Sequence, residues 1–251
     1  MIYYLALTLL LFPMMIFFPT RVRGRKNVPK KGRMILVANH QTNFDAILVG
    51  SRVLTRRFWF MAKSELFKNK MLGLFYKALD MYPVNRKKND IQAVKKTLKL
   101  LNNEKALCIF PEGTRLETDE VNEIKNGVAL FALKTKSPIV PSIFIKKPRF
   151  FRFNTYIIGE PFVLSDMPEF KDKPINKESL TLASAIISYR MNILKEEYLA
   201  NKLDKKNRKR KKYIKNTTMW YSGVFLFVFV FNFFVSNFKL LFYCFWRNNY
   251  F

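Results

Sequence analysis

The stretch Met34-Ile35-Leu36-Val37-Ala38-Asn39-His40-Gln41-Thr42-Asn43-Phe44-Asp45 opens on five apolar residues and closes on a carboxylate. An unbroken apolar run of this length is what a strand buried on both faces requires, and strands of that kind belong to parallel sheets. Ala46 to Leu54 then reads as a helix. The segment therefore predicts strand, short polar loop and helix, with His40 just beyond the strand. In open α/β sheets ligands bind outside the carboxyl ends of the strands.

Working outward, the same alternation repeats. Phe58 to Met61 is a second short apolar run, and Glu65 to Leu79 reads as helix. Met81 to Asn85 is a short strand. Ile91, Val94, Leu98 and Leu101 share one helix face within Asp90 to Leu101. Ala106 to Phe110 returns to strand, Glu123 to Lys134 to helix, and Ile139 to Ile145 and Tyr156 to Ile158 to strand. Leu180, Ile187, Met191, Leu194 and Tyr198 mark a long last helix. Strands alternating with helices predict an α/β layered domain with a mainly parallel central sheet flanked by helices.

The 251 residues carry 45 Lys and Arg against 18 Asp and Glu, a formal charge of +27. That imbalance calls for an anionic partner, whether nucleic acid, a lipid surface or a phosphorylated substrate. The two cysteines, Cys108 and Cys244, form neither a disulfide framework nor a metal motif. His40 is the only histidine, so any imidazole chemistry must use it, and one histidine with two distant cysteines cannot build a thiolate and imidazole zinc site. No metal or cofactor is expected.

Both ends are hydrophobic. Residues 1–19 hold no charged side chain, and their length is close to the ~20 residues of a membrane helix. No basic region precedes them and no small-residue cleavage site follows, so a retained anchor fits better than a signal peptide. Pro13 would kink such a helix, which leaves a short or re-entrant anchor open. Trp220 to Trp246 is rich in Phe and follows Lys205-Lys206-Asn207-Arg208-Lys209-Arg210-Lys211-Lys212. Basic clusters beside hydrophobic segments mark contact with anionic lipid on the cytoplasmic side. The expected organisation is an anchor over 1–20, a catalytic domain over 21–203, a basic linker over 204–216 and a membrane-associated segment over 217–251. The basic cluster abuts a hydrophobic run, which favours lipid over nucleic acid as the partner.

Asp45, five residues after His40, can orient an imidazole and raise its basicity. A second polar element, Phe110-Pro111-Glu112-Gly113-Thr114-Arg115, also follows an apolar strand. Two such strands side by side would bring both elements to one rim. Gly113 permits close backbone approach, and Arg115 can hold a phosphate in a bidentate fork. Cys108, inside its apolar strand, should be buried and unreactive. Phe58, Trp59, Phe60, Phe67, Phe75 and Tyr76 could line a channel for an acyl chain, but each taken singly reads better as core or as part of a membrane-facing patch.

In order, Asn39-His40 to Asp45, Met81 to Arg86, Phe110 to Arg115, Lys125-Asn126-Gly127 and Ile139-Val140-Pro141 resemble the blocks of the 1-acyl-glycerol-3-phosphate acyltransferase family. The likeness runs from about Gly24 to Gly159, over half the chain. Two positions depart from it. Asp80 stands where a small residue, usually Gly, precedes the block ending in Arg86, and Leu116 stands where Ser is common.

The resemblance implies an O-acyltransferase that moves an acyl chain from acyl-CoA or acyl carrier protein to a lysophosphatidate, giving phosphatidic acid. It implies His40 as general base oriented by Asp45, with no acyl-enzyme. Arg86, Arg115 and Lys125 would hold the acceptor phosphate, and Glu112, Gly113 and Thr114 would shape the same site. Backbone N–H groups near Gly113 are candidates for the oxyanion. Two alternatives accompany this reading. One is a different acceptor, such as glycerol 3-phosphate, another lysophospholipid or an aminoacyl lipid; the other is a non-catalytic protein that binds anionic lipid.

Overall fold

The computed structural model describes residue 14 and residues 16–53, 55–85, 90–113 and 124–209. The expected N-terminal anchor, apart from Met14 and residues 16–20, and the whole C-terminal hydrophobic segment lie outside the described residues. Among the described residues no helix is long and apolar enough to cross a membrane.

The chain divides into two units, Met1–Glu197 and Tyr198–Phe251. The first holds a seven-stranded sheet built from β1 (Thr20–Arg23), β2 (Met34–Ala38), β3 (Phe58–Lys63), β4 (Met81–Val84), β5 (Ala106–Ile109), β6 (Ile139–Phe144) and β7 (Asn154–Ile158). Their order across the sheet is β1-β7-β6-β2-β5-β3-β4. Every neighbouring pair is parallel except β6 and β7. The fold is thus α/β with a mostly parallel central sheet. In the second unit residues 198–209 are helical, with Asp204 and Arg208 paired one turn apart at 3.0 Å.

The helices of the first unit are α1 (Asp45–Arg52), α2 (Lys70–Ala78), α3 (Ile91–Asn102), α4 (Gly127–Thr135) and residues 177–197 of a further helix. The three central strands β2, β5 and β6 are buried along their whole length, as parallel strands covered on both faces must be. Leu36, Ala38 and Cys108 pack with Leu48 and Val49 of α1 in one apolar cluster. Helices α3 and α4 pack against each other and bury Ala93, Leu101, Val128 and Phe131.

Several boundaries differ from the sequence reading. The helix expected over Glu65 to Leu79 is two pieces, a 3-10 turn over Ser64–Phe67 and then α2. Asn69 separates them because its side chain accepts from the N–H groups of Met71 and Leu72 and starts a new helix. The helix expected from Glu123 begins at Gly127. Strand β1, where the expected anchor gives way to the catalytic domain, was not read as a strand from the sequence. Its alternating half-buried and exposed residues, with Arg21 and Arg23 outward, are those of a charged edge strand.

Asp80, the departure before the Arg86 block, has a physical explanation. It adopts φ +57°, a left-handed conformation that Asp tolerates better than most residues other than Gly. Its carboxylate then accepts a fork from Arg57, whose Nη2 lies 2.6 Å from Oδ1. Gly24 is held more tightly still: at φ +76° a Cβ there would sit 1.9 Å from the Ile158 carbonyl oxygen.

Candidate active site

Because β2 pairs in parallel with β5 in the register Val37↔Ile109, both strands end on the same edge of the sheet. The loops that follow them, one holding His40 and the other Glu112, are therefore neighbours. Asn39 fixes the first loop. Its buried amide donates to the Phe144 carbonyl at 3.1 Å and accepts from the Phe144 N–H at 2.8 Å, which extends the β2–β6 pairing by one residue through a side chain.

Asp45 is the first residue of α1 and is fully buried. Its Oδ2 lies 2.8 Å from His40 Nδ1 and accepts from the N–H groups of Gln41 at 2.6 Å and Thr42 at 2.8 Å. Its Oδ1 accepts from the Thr42 hydroxyl at 2.5 Å. The carboxylate thus organises the whole loop, and the helix N-terminus favours its negative charge. With Nδ1–H donating to Asp45, the lone pair of the imidazole is on Nε2. The His40 side chain keeps 17% of its surface exposed. Its ring stacks on Phe110, with centroids 4.7 Å apart and planes inclined by 27°.

Glu112 meets His40 from the adjacent strand end. Its Oε2 accepts the His40 backbone N–H at 3.1 Å, and its Oε1 is buried with no hydrogen-bond partner in the structure. Burial pushes the Glu112 carboxyl up to about 7. Hydrogen bonds from its own backbone and from His40 oppose the rise, and the nearby Asp45 charge adds to it.

Gly113 stands at φ +71°, and a Cβ there would come within 2.7 Å of Lys125 Cε. The lysine stem lies across this glycine, so the two positions are matched by shape. The Gly113 N–H donates to the Phe110 carbonyl at 3.2 Å. It closes a turn, which makes it a weaker oxyanion candidate than its position in the sequence implied. Arg86, Thr114 and Arg115 lie outside the described residues.

A cavity of about 480 Å³ opens beside this rim. Its lining is mostly apolar, with Met61, Val84, Val94 and Phe131, and includes Phe110, Gly113 and Lys125 of the rim together with the polar Asn85 and Asp90. None of the six aromatic residues considered for an acyl channel lines it. Phe58 and Phe60 are core, and Phe67, Phe75 and Tyr76 pack against the core. The roles of Asn39, Phe110 and this cavity were not read from the sequence. The position of Phe110, two residues before Glu112, was the available signal for one of them. Cys108 is fully buried, and burial raises its thiol far above the ordinary range, with the Asp45 charge adding to the effect.

A family model described as Acyltransferase matches residues 19–145. The 1-acyl-sn-glycerol-3-phosphate acyltransferase of Bacillus subtilis is 32% identical over 193 residues, covering 73% of this chain and 89% of that protein. The chain belongs to this acyltransferase family. As a member it is an O-acyltransferase. The yeast 1-acyl-sn-glycerol-3-phosphate acyltransferase is 33% identical over 135 residues, 52% of this chain and 44% of that protein. The crystal structure of the 1-acyl-sn-glycerophosphate acyltransferase PlsC from Thermotoga maritima superposes with a TM-score of 0.55 at 22% identity, covering 73% of this chain and 77% of that one. That structure supports the acyltransferase fold. The family match spans His40, Asp45 and Glu112, so these three groups meet within the segment that defines the family.

Proposed function

We propose that this chain transfers an acyl group from a thioester to the free hydroxyl of 1-acyl-glycerol-3-phosphate, forming phosphatidic acid, with His40 as general base. The observation that carries this reading is the His40–Asp45 pair at 2.8 Å, on the rim of a mostly apolar cavity that Lys125 helps to line. The acceptor hydroxyl gives its proton to His40 Nε2 as its oxygen attacks the thioester carbon. The imidazolium that forms is stabilised by Asp45. Collapse of the tetrahedral intermediate breaks the C–S bond, leaves an ester, and returns the proton to the departing thiolate. No acyl-enzyme is needed, and the deeply buried Cys108 thiol is a poor nucleophile.

The apolar cavity suits an acyl chain, and Lys125 suits a phosphate. Arg86, Thr114 and Arg115 complete the phosphate site by family resemblance. Glu112 acts as a strut that holds the His40 backbone. The donor is acyl-CoA or acyl carrier protein, both polyanionic, in keeping with the charge of +27. The enzyme works at a membrane, with the catalytic domain on the cytoplasmic face beside its basic flanks.

The test is acyl transfer by purified protein to lysophosphatidate, glycerol 3-phosphate, lysophosphatidylcholine and an aminoacyl lipid, each with acyl-CoA and with acyl carrier protein. Preferred use of lysophosphatidate is the expected result. Preferred use of another acceptor would replace the assigned substrate.

A further inference from the structure

The segment between β6 and β7 reads Lys146-Lys147-Pro148-Arg149-Phe150-Phe151-Arg152-Phe153. Phe150, Phe151 and Phe153 are 55%, 68% and 76% exposed, although three such rings in eight residues would ordinarily be drawn into a core. The loop is nevertheless built. Buried Asn154 accepts from the Arg149 N–H at 3.0 Å and donates to the carbonyls of Arg149 at 3.2 Å and Arg152 at 2.9 Å. Phe151 holds φ +53°, a left-handed conformation unfavourable for a bulky residue. Its N–H donates to the Phe17 carbonyl at 2.7 Å. The rings are held out by these bonds.

The sheet places this loop beside the active site. Strand β6 runs parallel to β2, so the loop leaves the same edge as His40. Strand β7 returns from that edge antiparallel to β6, with β1 entering alongside it in the register Thr20↔Asn154. The end of the N-terminal apolar segment is therefore there too. Ring contacts join these parts. Phe150 lies 4.4 Å from Phe18 and 6.5 Å from Phe44, and Phe151 lies 5.4 Å from Phe17. Phe44 directly precedes Asp45.

We infer that the β6–β7 loop is a membrane-docking element, with Phe151 and Phe153 entering the headgroup region of an anionic bilayer while Lys146, Lys147, Arg149 and Arg152 contact lipid phosphates. Aromatic rings interleaved with basic side chains suit that interface and no apolar protein groove, because the exposed cations would there be desolvated without partners. Docking by this loop would hold the His40 rim against the surface from which a lipid acceptor is drawn. The consequence for activity rests on the proposed function; the docking itself does not.

The experiment uses the full chain with Cys244→Ser and Phe151→Cys, labelled at the new thiol with an environment-sensitive fluorophore while Cys108 stays buried. Vesicles of phosphatidylcholine with phosphatidylglycerol should blue-shift the emission and protect it from iodide, and vesicles of phosphatidylcholine alone should do so less. An unchanged spectrum, a shift present before vesicles are added because the chain's own hydrophobic ends cover the loop, or a shift with duplex DNA instead of vesicles would each overturn the inference. Arg149→Gln with Arg152→Gln in the labelled protein should narrow the difference between the two vesicle types, Lys146 and Lys147 keeping part of it; a difference as large as in the parent protein counts against it. Phe151→Ser with Phe153→Ser should lower transfer to long-chain acceptor in vesicles by about tenfold while leaving transfer to a soluble short-chain acceptor unchanged. Equal loss on both acceptors would make the loop a merely structural part and sink the inference. Absence of all transfer in the unaltered protein, with the fluorescence response intact, would count against the proposed function alone.

Discussion

Glu112 is the residue whose chemistry departs furthest from its sequence context. Its carboxyl, raised to about 7 by burial, binds a proton more readily in the folded chain than in the unfolded one. The native state therefore loses stability through this group as pH rises from about 4.5 toward 7, by roughly 3 kcal/mol in all, and changes little above that. Glu112→Gln keeps an oxygen to accept the His40 N–H but removes the titration. Across pH 5 to 8 the wild type should lose thermal stability relative to this variant, and parallel melting curves would contradict the assignment. Little of this was legible in the sequence. Glu112 was readable as part of a polar block after a strand, but its partner is a backbone N–H supplied by a loop 72 residues earlier, and pairing at that distance depends on strand order. The short spacing of His40 and Asp45, in contrast, made their contact readable at once.

At the level of elements, Asn39 and the cavity make separate predictions. Asn39 joins the end of β2 to β6 through both atoms of its amide. Asn39→Ala leaves the Phe144 N–H and carbonyl without these partners, which costs roughly 1–3 kcal/mol. It should also lower activity by more than the loss of stability explains, because the His40 loop begins at this residue. Denaturant unfolding together with kcat measures both effects. On the cavity wall, Val94 is only half-buried, so a larger side chain can be accommodated there without overpacking the core. Val94→Trp should shorten the preferred acyl chain, lowering kcat/KM for long-chain over short-chain substrate by about tenfold or more. An unchanged chain-length profile would remove the cavity from the acyl site.

The elements also show where sequence reading stops. The central strands were legible because burial on both faces leaves an unbroken apolar run, as in Met34–Ala38 and Ala106–Ile109. Strand β1 was not, because four residues at a charged edge carry only two periods of alternation. The break at Asn69 falls in the polar run Lys68-Asn69-Lys70, where the Asn cap was an available signal that the helix reading passed over. The cavity follows from how α3 and α4 pack, which no local pattern records.

For the whole molecule, one sheet edge gathers what the sequence scatters. The loops after β2 and β5, the β6–β7 segment and the chain entering β1 all meet there. The sheet thus brings His40, the Asp45 carboxylate, the Glu112 carboxylate and a mostly apolar cavity to one rim, and under the proposed function the charge of +27 would draw anionic lipid and a polyanionic donor toward it. The claim at the centre is that His40 takes the acceptor proton. It is tested most directly by acyl transfer to lysophosphatidate by full-length His40→Ala, with circular dichroism to check the fold and vesicle sedimentation to check membrane association. The account predicts loss of transfer by about 100-fold or more with fold and association retained. Transfer at the wild-type rate by a folded His40→Ala protein would contradict it, since the chain contains no other imidazole.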